Sequence, residues 1–315
     1  MSDFDRRTFL QGAAAGIAAY TALSLAAPNA QGATMPAFAD ATAYGVNPNG
    51  TTDCAPGIRS AIASGAKLIL LPSGVMILGS QLSVPAGVTL AGAGQWASIL
   101  SKGFAGDAIV LNSEAGLMNL RVEGNGSSRT GAGVTIPAGS GRQTVLNVAL
   151  SNSQGPSLNF ATHDAGSQSS FTNLNLRRLN ANIGTEVYNV VIPDGQYLAS
   201  CPRKFTQVET NGQPAFSLGG ANGVFITTSV LGRMRYTAET RDVQVASSRL
   251  LNEDAWNLWG HANTIVGCDI RPRLTVKNGS FWCSVVGNAH NLDNPVTRET
   301  GAHASNTIMH SGRFW

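Results

Sequence analysis

The chain is short of charge. Only 12% of its 315 residues are Asp, Glu, Lys or Arg, and 21 basic residues against 18 acidic ones leave a formal net charge of +3. So small a balance excludes a protein that holds nucleic acid by bulk phosphate neutralisation. It also leaves any preference for an anionic substrate to local arrangement. Cysteine is scarce as well: Cys54, Cys201, Cys268 and Cys283 form no C-x-x-C pair, and no His stands near them at zinc-ligand spacing. No run of acidic residues recurs at a spacing that would build a calcium cage. We therefore expect no metal and no cofactor. The apolar stretch Gly12–Ala27 is shorter than the roughly 20 residues that span a bilayer.

What the chain has instead is glycine, 36 residues of it, with abundant Asn and Ser. Gly, Asn and Ser supply turn geometry while Val, Ile, Thr and Phe fill strands, so the composition points to strands and turns. The N-terminus, Asp5-Arg6-Arg7-Thr8-Phe9-Leu10 followed by the Ala-rich Gly12–Ala27, resembles a twin-arginine export signal. Small residues between Ala26 and Ala33 offer cleavage points. That resemblance implies a signal over residues 1–33 and one domain over 34–315. It also implies work in the periplasm or outside the cell, with no stable membrane insertion after cleavage. Thr34 to Asp40 reads as a linker.

The stretch from Ala43 to Leu100 carries the fold. It reads A-Y-G-V-N-P-N-G-T-T-D, a short helical segment, L-I-L-L-P-S-G-V, and G-V-T-L-A-G-A-G-Q-W-A-S-I-L. In order and spacing this resembles the opening of the pectate-lyase-like right-handed parallel β-helix proteins. The resemblance implies an all-β fold, a right-handed parallel β-helix (solenoid) with an N-terminal capping helix. Pro56 to Ser64, with Ile58, Ala61 and Ile62 at helical spacing and Asp53 as N-cap, is the expected helix. It would close a rung that otherwise exposes strand edges. Gly92-Ala93-Gly94 follows the family's turn pattern, and no helix signal comes after it to make a phosphate loop.

From Lys67 onward a motif x-Asn-apolar-x-apolar recurs around Asn119, Asn147, Asn173 and Asn189. Val224-Phe225-Ile226 and Val243-Gln244-Val245 recur 19 apart, as do Leu231 and Leu250. Such a wandering period fits a solenoid with variable loops, its Asn residues stacked in ladders at the turns. Ten or so rungs at ~4.8 Å make a rod of about 45–50 Å. Its surface suits a polymer, and polysaccharide is the partner that the resemblance implies. Cys268 and Cys283, 15 residues apart, are expected as buried thiols on neighbouring rungs. The stretch from Asn291 departs from the repeat, and its end, Arg313-Phe314-Trp315, is expected to cover the last rung.

Chemistry is densest between Arg249 and Arg273. Glu253, Asp254, His261, Asp269, Arg271 and Arg273 are candidate catalytic groups there. Trp256, Trp259, Arg233 and Arg249 are candidate substrate contacts. A rung of 19 to 20 residues would stack Arg249 on Asp269 and gather acid, base and cation on one face. Paired carboxylates serve glycoside hydrolysis. His261 with Arg271 or Arg273 serves proton abstraction and charge stabilisation in a uronate lyase or epimerase. The alternative is a non-catalytic polysaccharide-binding or structural module. It is favoured by what is missing: polygalacturonases carry N-T-D, D-D, G-H-G and R-x-K, and this chain has Trp259-Gly260-His261-Ala262 in place of G-H-G and none of the other three. Arg177-Arg178 and Arg203-Lys204 form a second basic candidate, stacked on one face.

Overall fold

A computed structural model describes residues 37–126, 129–177, 188–194, 201–210, 214–251, 256–290 and 296–313. The export-signal segment, Arg178, Glu253, Asp254, Asn291, Phe314 and Trp315 lie outside the described residues. From Phe38 to Arg313 the chain winds as a right-handed parallel β-helix of about ten turns. Each turn contributes a strand to each of three faces. Face A runs through Leu68–Leu70, Thr89–Ala91 and the first halves of Gly116–Glu123, Thr144–Ser151 and Ser169–Arg177. Face B takes Gly74–Leu78, Ser98–Lys102 and the second halves of those long strands. Face C takes Leu82–Val84 through Met234–Tyr236, then Trp256–Leu258, Leu274–Val276 and Val296–Arg298.

The sequence dictates this shape through its alternation. On face A one residue per turn points inward, for example Leu117, Val145, Phe171, Phe205 and Ile226, and all are buried. On face C both ends of the three-residue strands point inward, as Leu158 and Phe160 do, except in Val296–Arg298, where Arg298 is exposed. Parallel stacking puts like on like, and aromatic rings pile up. Phe171 and Phe205 stack at 4.7 Å, with Phe160 and Phe216 set edge-on at 5.8 and 5.0 Å. Such pairs add to burial in holding successive turns together.

Corners are made by left-handed residues. Between faces A and B, Asn119, Asn147, Asn173, Gln207, Thr228 and Ser247 all have φ between 48° and 55°. Asn tolerates this region because its side chain bonds locally. Here it also reaches across turns: Asn147 Nδ2 donates to Asn119 Oδ1 at 2.8 Å, and Asn173 Nδ2 to Asn147 Oδ1 at 2.9 Å. Asn189 does not continue this ladder. It precedes a face C strand and is buried, its Oδ1 accepting from Ser157 Oγ at 2.8 Å. The short spacing from Asn173 to Asn189 is therefore a step between faces, not a rung.

A second left-handed column, between faces C and A, holds Glu114, Arg142, Gln168, Asp242, Ala262 and Trp282. Gly92 is a packing glycine: a Cβ there would sit 2.4 Å from Asn119 O.

The cap is present, one residue off its expected position. The helix is Ala55–Ala63 with Cys54 as N-cap, and Asp53 Oδ1 accepts from Ala55 N at 3.0 Å and from Gly79 N at 2.8 Å. Ile58 and Ala61 are fully buried beneath it. Two other expectations need correction. Phe38–Asp40 is a strand paired in parallel with Leu68–Leu70, not a linker. The repeat also continues past residue 291: Val296–Arg298 pairs with Leu274–Val276, and Thr307–Arg313 pairs with Ser284–His290.

All four cysteines are free thiols and buried. Cys268 and Cys283 do not stack on each other. Cys268 N bonds Asn288 at the A–B corner, and Cys283 N bonds Asn306 at the start of face A. Burial pushes both thiols up.

Candidate functional site

The dense run from Arg249 to Arg273 passes once around the rod, and its chemistry is spread over the circumference. Arg249 and Asp269 do pair in register on face B, at 3.2 Å, and Arg271 lies 3.5 Å from the same carboxylate. His261 sits elsewhere, on the C–A corner in register with Arg241 and Phe281. Arg273 precedes the face C strand Leu274–Val276, its carbonyl accepting from Trp256 N at 2.7 Å. Acid, base and cation are thus not gathered on one face. The reason is geometric: neighbours on a face are about one turn apart in sequence, so a stretch as long as one rung samples every direction.

Trp256 is corrected most sharply. It is 1% exposed, the largest fully buried side chain among the described residues, and no sugar can stack on it. Trp259 is half-buried, and Lys277 Nζ lies 5.7 Å over its ring. Lys277 in turn pairs with Glu299 at 2.5 Å, and that bond together with one from Asn278 N–H holds the Glu299 carboxyl below its ordinary value. The second basic candidate also comes apart. Arg203 points into the interior, 0% exposed, donating to Ala165 O at 2.8 Å and lying over the Phe160 ring at 5.0 Å. Arg177 stands on face B, in register with Ser151.

What the fold does bring together is a cleft of about 220 Å³ on face C, lined by Tyr188, Arg233, Arg235, Asn257 and Trp259 with Met234 and Tyr236 behind. From Arg233 through the strand Met234–Tyr236 the side chains alternate outward and inward, so Met234 and Tyr236 fill the core while the two arginines line the cleft. Arg235 is in register with Ser217 on one side, and Asn257 with Thr275 further along the face. Arg273 holds the position before a face C strand that Arg233 holds earlier. Among the described residues no carboxylate lines the cleft. Sequence reasoning singled out Arg233 and Trp259 but missed Arg235 and Asn257. The signal was there in the two-residue alternation of the strand.

Two further polar centres lie among the longer turns. On face B, Glu123 is nearly buried and fully engaged, paired with Arg121 and accepting from Ser151 Oγ at 3.0 Å and from Asn152 Nδ2. Arg121 also lies 5.1 Å over the exposed Trp96 ring. A wider hollow of about 480 Å³ is lined by Ser113, Ser140, Arg142, Asp164, Ser167 and Gln168, among others. The Asp164 carboxyl there is held low, first by the Thr162 hydroxyl. Among the described residues no three His, Cys, Asp or Glu side chains gather as metal ligands do.

No protein-family model and no curated protein matches the chain. Solved structures do. A double mutant of the tailspike protein of Escherichia coli bacteriophage HK620 superposes with a TM-score of 0.65 at 13% identity, over 88% of this chain and 63% of that one. The same tailspike in complex with a pentasaccharide gives 0.62 at 12%, over 86% and 67%. ORF18 of Geobacillus virus E2 gives 0.60 at 13%, over 88% and 62%. The chain therefore spans about two thirds or less of these proteins. At such identity the likeness establishes the fold, a parallel β-helix of the tailspike kind.

Proposed function

We propose that this is an exported β-helix protein that engages an acidic polysaccharide on face C, between Arg233 and Lys277. The observation that carries the reading is the cleft of Arg233, Arg235, Asn257 and Trp259, with Arg273 and Lys277 further along the same face. Guanidinium groups recognise carboxylates with paired hydrogen bonds, and a partly exposed indole offers a flat apolar surface with a polar edge. With a net charge of only +3, an anionic ligand would be drawn by this local set and not by the whole molecule. A saccharide-bound tailspike among the structures of like fold supports the polymer as ligand, and the resemblance to the pectate-lyase-like family supports a uronate. The twin-arginine-like N-terminus supports action in the periplasm or outside the cell.

Elimination or epimerisation fits the cleft better than hydrolysis. Among the described residues no two carboxyl groups face each other across it, as glycoside hydrolysis requires. Asp269 is fixed between Arg249 and Arg271 on another face. His261, two residues beyond Trp259, is our candidate for proton transfer, with Glu253 and Asp254 preceding the cleft strand in sequence. A pure binding module is the second reading, favoured because the His261 ring is stacked flat on Phe281 at 5.2 Å.

The test is incubation of the protein with acidic and neutral polysaccharides, following unsaturated uronates by ultraviolet absorbance, reducing ends, and binding. Arg233→Ala with Arg235→Ala should weaken binding of an acidic polymer at least tenfold and flatten its salt dependence. Binding of neutral polymers only, or unchanged binding by the double variant, overturns the cleft assignment. New absorbance makes the protein a lyase; saturable binding without products makes it a module.

A further inference from the structure

The C–A corner of the last turns carries an aromatic cluster that shares only His261 with the reading of the cleft. His261, Phe281 and His303 stand on successive turns: His261 stacks on Phe281 at 5.2 Å and 12°, and Phe281 meets His303 at 4.8 Å. Beside them Trp282 projects outward, 66% exposed, more than any other large apolar side chain among the described residues. Its ring lies 6.5 Å from His261 and 6.3 Å from Phe281, inclined to both by about 50°. The result is an open angle between the indole and the stacked pair.

Three facts set this apart from a stray surface aromatic. First, Trp282 is held in place: like the rest of its corner column it is left-handed, φ 55°, its N–H is fixed to Ser305 Oγ at 3.0 Å, and Cys283 next to it is fully buried. Second, the equivalent corner position one turn earlier is Ala262, whose N–H bonds Phe281 O, and the bonded neighbour one turn later is Ser305. Both are small, in keeping with an indole that stays 66% exposed. Third, the corner continues the cleft: Trp259 follows the strand Trp256–Leu258 and stands two residues before His261, and Lys277, over the Trp259 ring, leads in four residues to Phe281.

We propose that Trp282, Phe281, His261 and His303 form a stacking subsite for the apolar face of a pyranose ring, next to the cationic cleft. It rests on the reading of face C as a polysaccharide surface and extends it. The cleft supplies charge recognition, and the corner supplies a charge-independent contact that any flat sugar ring can make. A second copy of the chain docked on the same aromatics is the competing occupant.

The test uses the full chain, with galacturonate, mannuronate and neutral glucan hexasaccharides as probes. Tryptophan fluorescence and calorimetric titration are the readouts. The expected result is quenching by at least one hexasaccharide, with affinity for it reduced at least tenfold in Trp282→Ala. Trp282→Phe should recover most of that affinity, and the unfolding midpoint should not change. The salt dependence of uronate binding should survive Trp282→Ala, because the arginines remain. Unchanged affinity in Trp282→Ala overturns the subsite even if Arg233→Ala with Arg235→Ala still weakens binding, so the two proposals fail separately. Absence of binding by all three probes overturns both. Self-association that Trp282→Ala abolishes, without an effect on sugar, overturns the subsite in favour of the second copy.

Discussion

The earlier and later turns of the rod use cations in opposite ways. From Thr144 to Lys204, face A residues in register are 26 and then 34 positions apart, so more chain lies between successive face A strands there. From Phe225 to Ser284 the offsets are 19 and 20. The longer turns bury two cations as fasteners: Lys102 Nζ donates to Gly106 O at 2.9 Å and Thr130 O at 2.7 Å, and Arg203 binds the carbonyl of Ala165. In the short turns Arg235 is exposed on the face C cleft. A buried cation satisfies otherwise orphaned carbonyls, whereas an exposed one contributes little to stability and is available for a ligand.

The comparison breaks most visibly at arginine. Arg203→Ala should destabilise the fold by about 3–5 kcal/mol, from lost packing and carbonyls left without donors. Arg235→Ala should stay within about 0.5 kcal/mol. Urea denaturation of both decides it, and equal effects would erase the distinction. At the corners a smaller difference is expected. Asn147→Ala loses two ladder bonds and keeps the left-handed backbone, costing about 1–2 kcal/mol, while Asn147→Gly costs less because glycine adopts that backbone freely. Ser247→Ala, in a short turn and outside the ladder, should cost under ~1 kcal/mol.

The smallest effect is in pH. Burial pushes the Lys102 amine below its ordinary value, with Asp107 opposing. The folded state then binds fewer protons than the unfolded one between the two values. Stability should therefore rise with pH through that alkaline window, up to ~10.4. Melting curves of Lys102→Met should lack that part of the slope, and an unchanged slope would mean that Lys102 is not desolvated.

Most of the architecture was legible because solenoid corners demand particular residues. Asn119, Asn147 and Asn173 announced one corner, and the Leu231–Leu250 spacing announced the short turns. Asn189 misled, since an Asn before a buried strand writes the same letters as an Asn at a corner. The site was less legible. Trp256 and Trp259 are three residues apart and share a composition, yet one fills the core and one edges a cleft. Only the phase of each face C strand tells them apart, and that phase depends on loops of irregular length. Arg203 looked like surface charge because nothing in sequence marks the Ala165 carbonyl as its partner.

The two columns of left-handed residues have a consequence for length. They act as graduations on a ruler, and the later ones are spaced in near-equal steps. One whole step, such as residues 244–263, spans from one face A strand to the residue before the next. Removing or duplicating it would keep every neighbour's orientation, whereas losing a single residue would turn a strand inside out. The later turns are in effect interchangeable parts, from which a lineage can lengthen or shorten the rod without designing a new core.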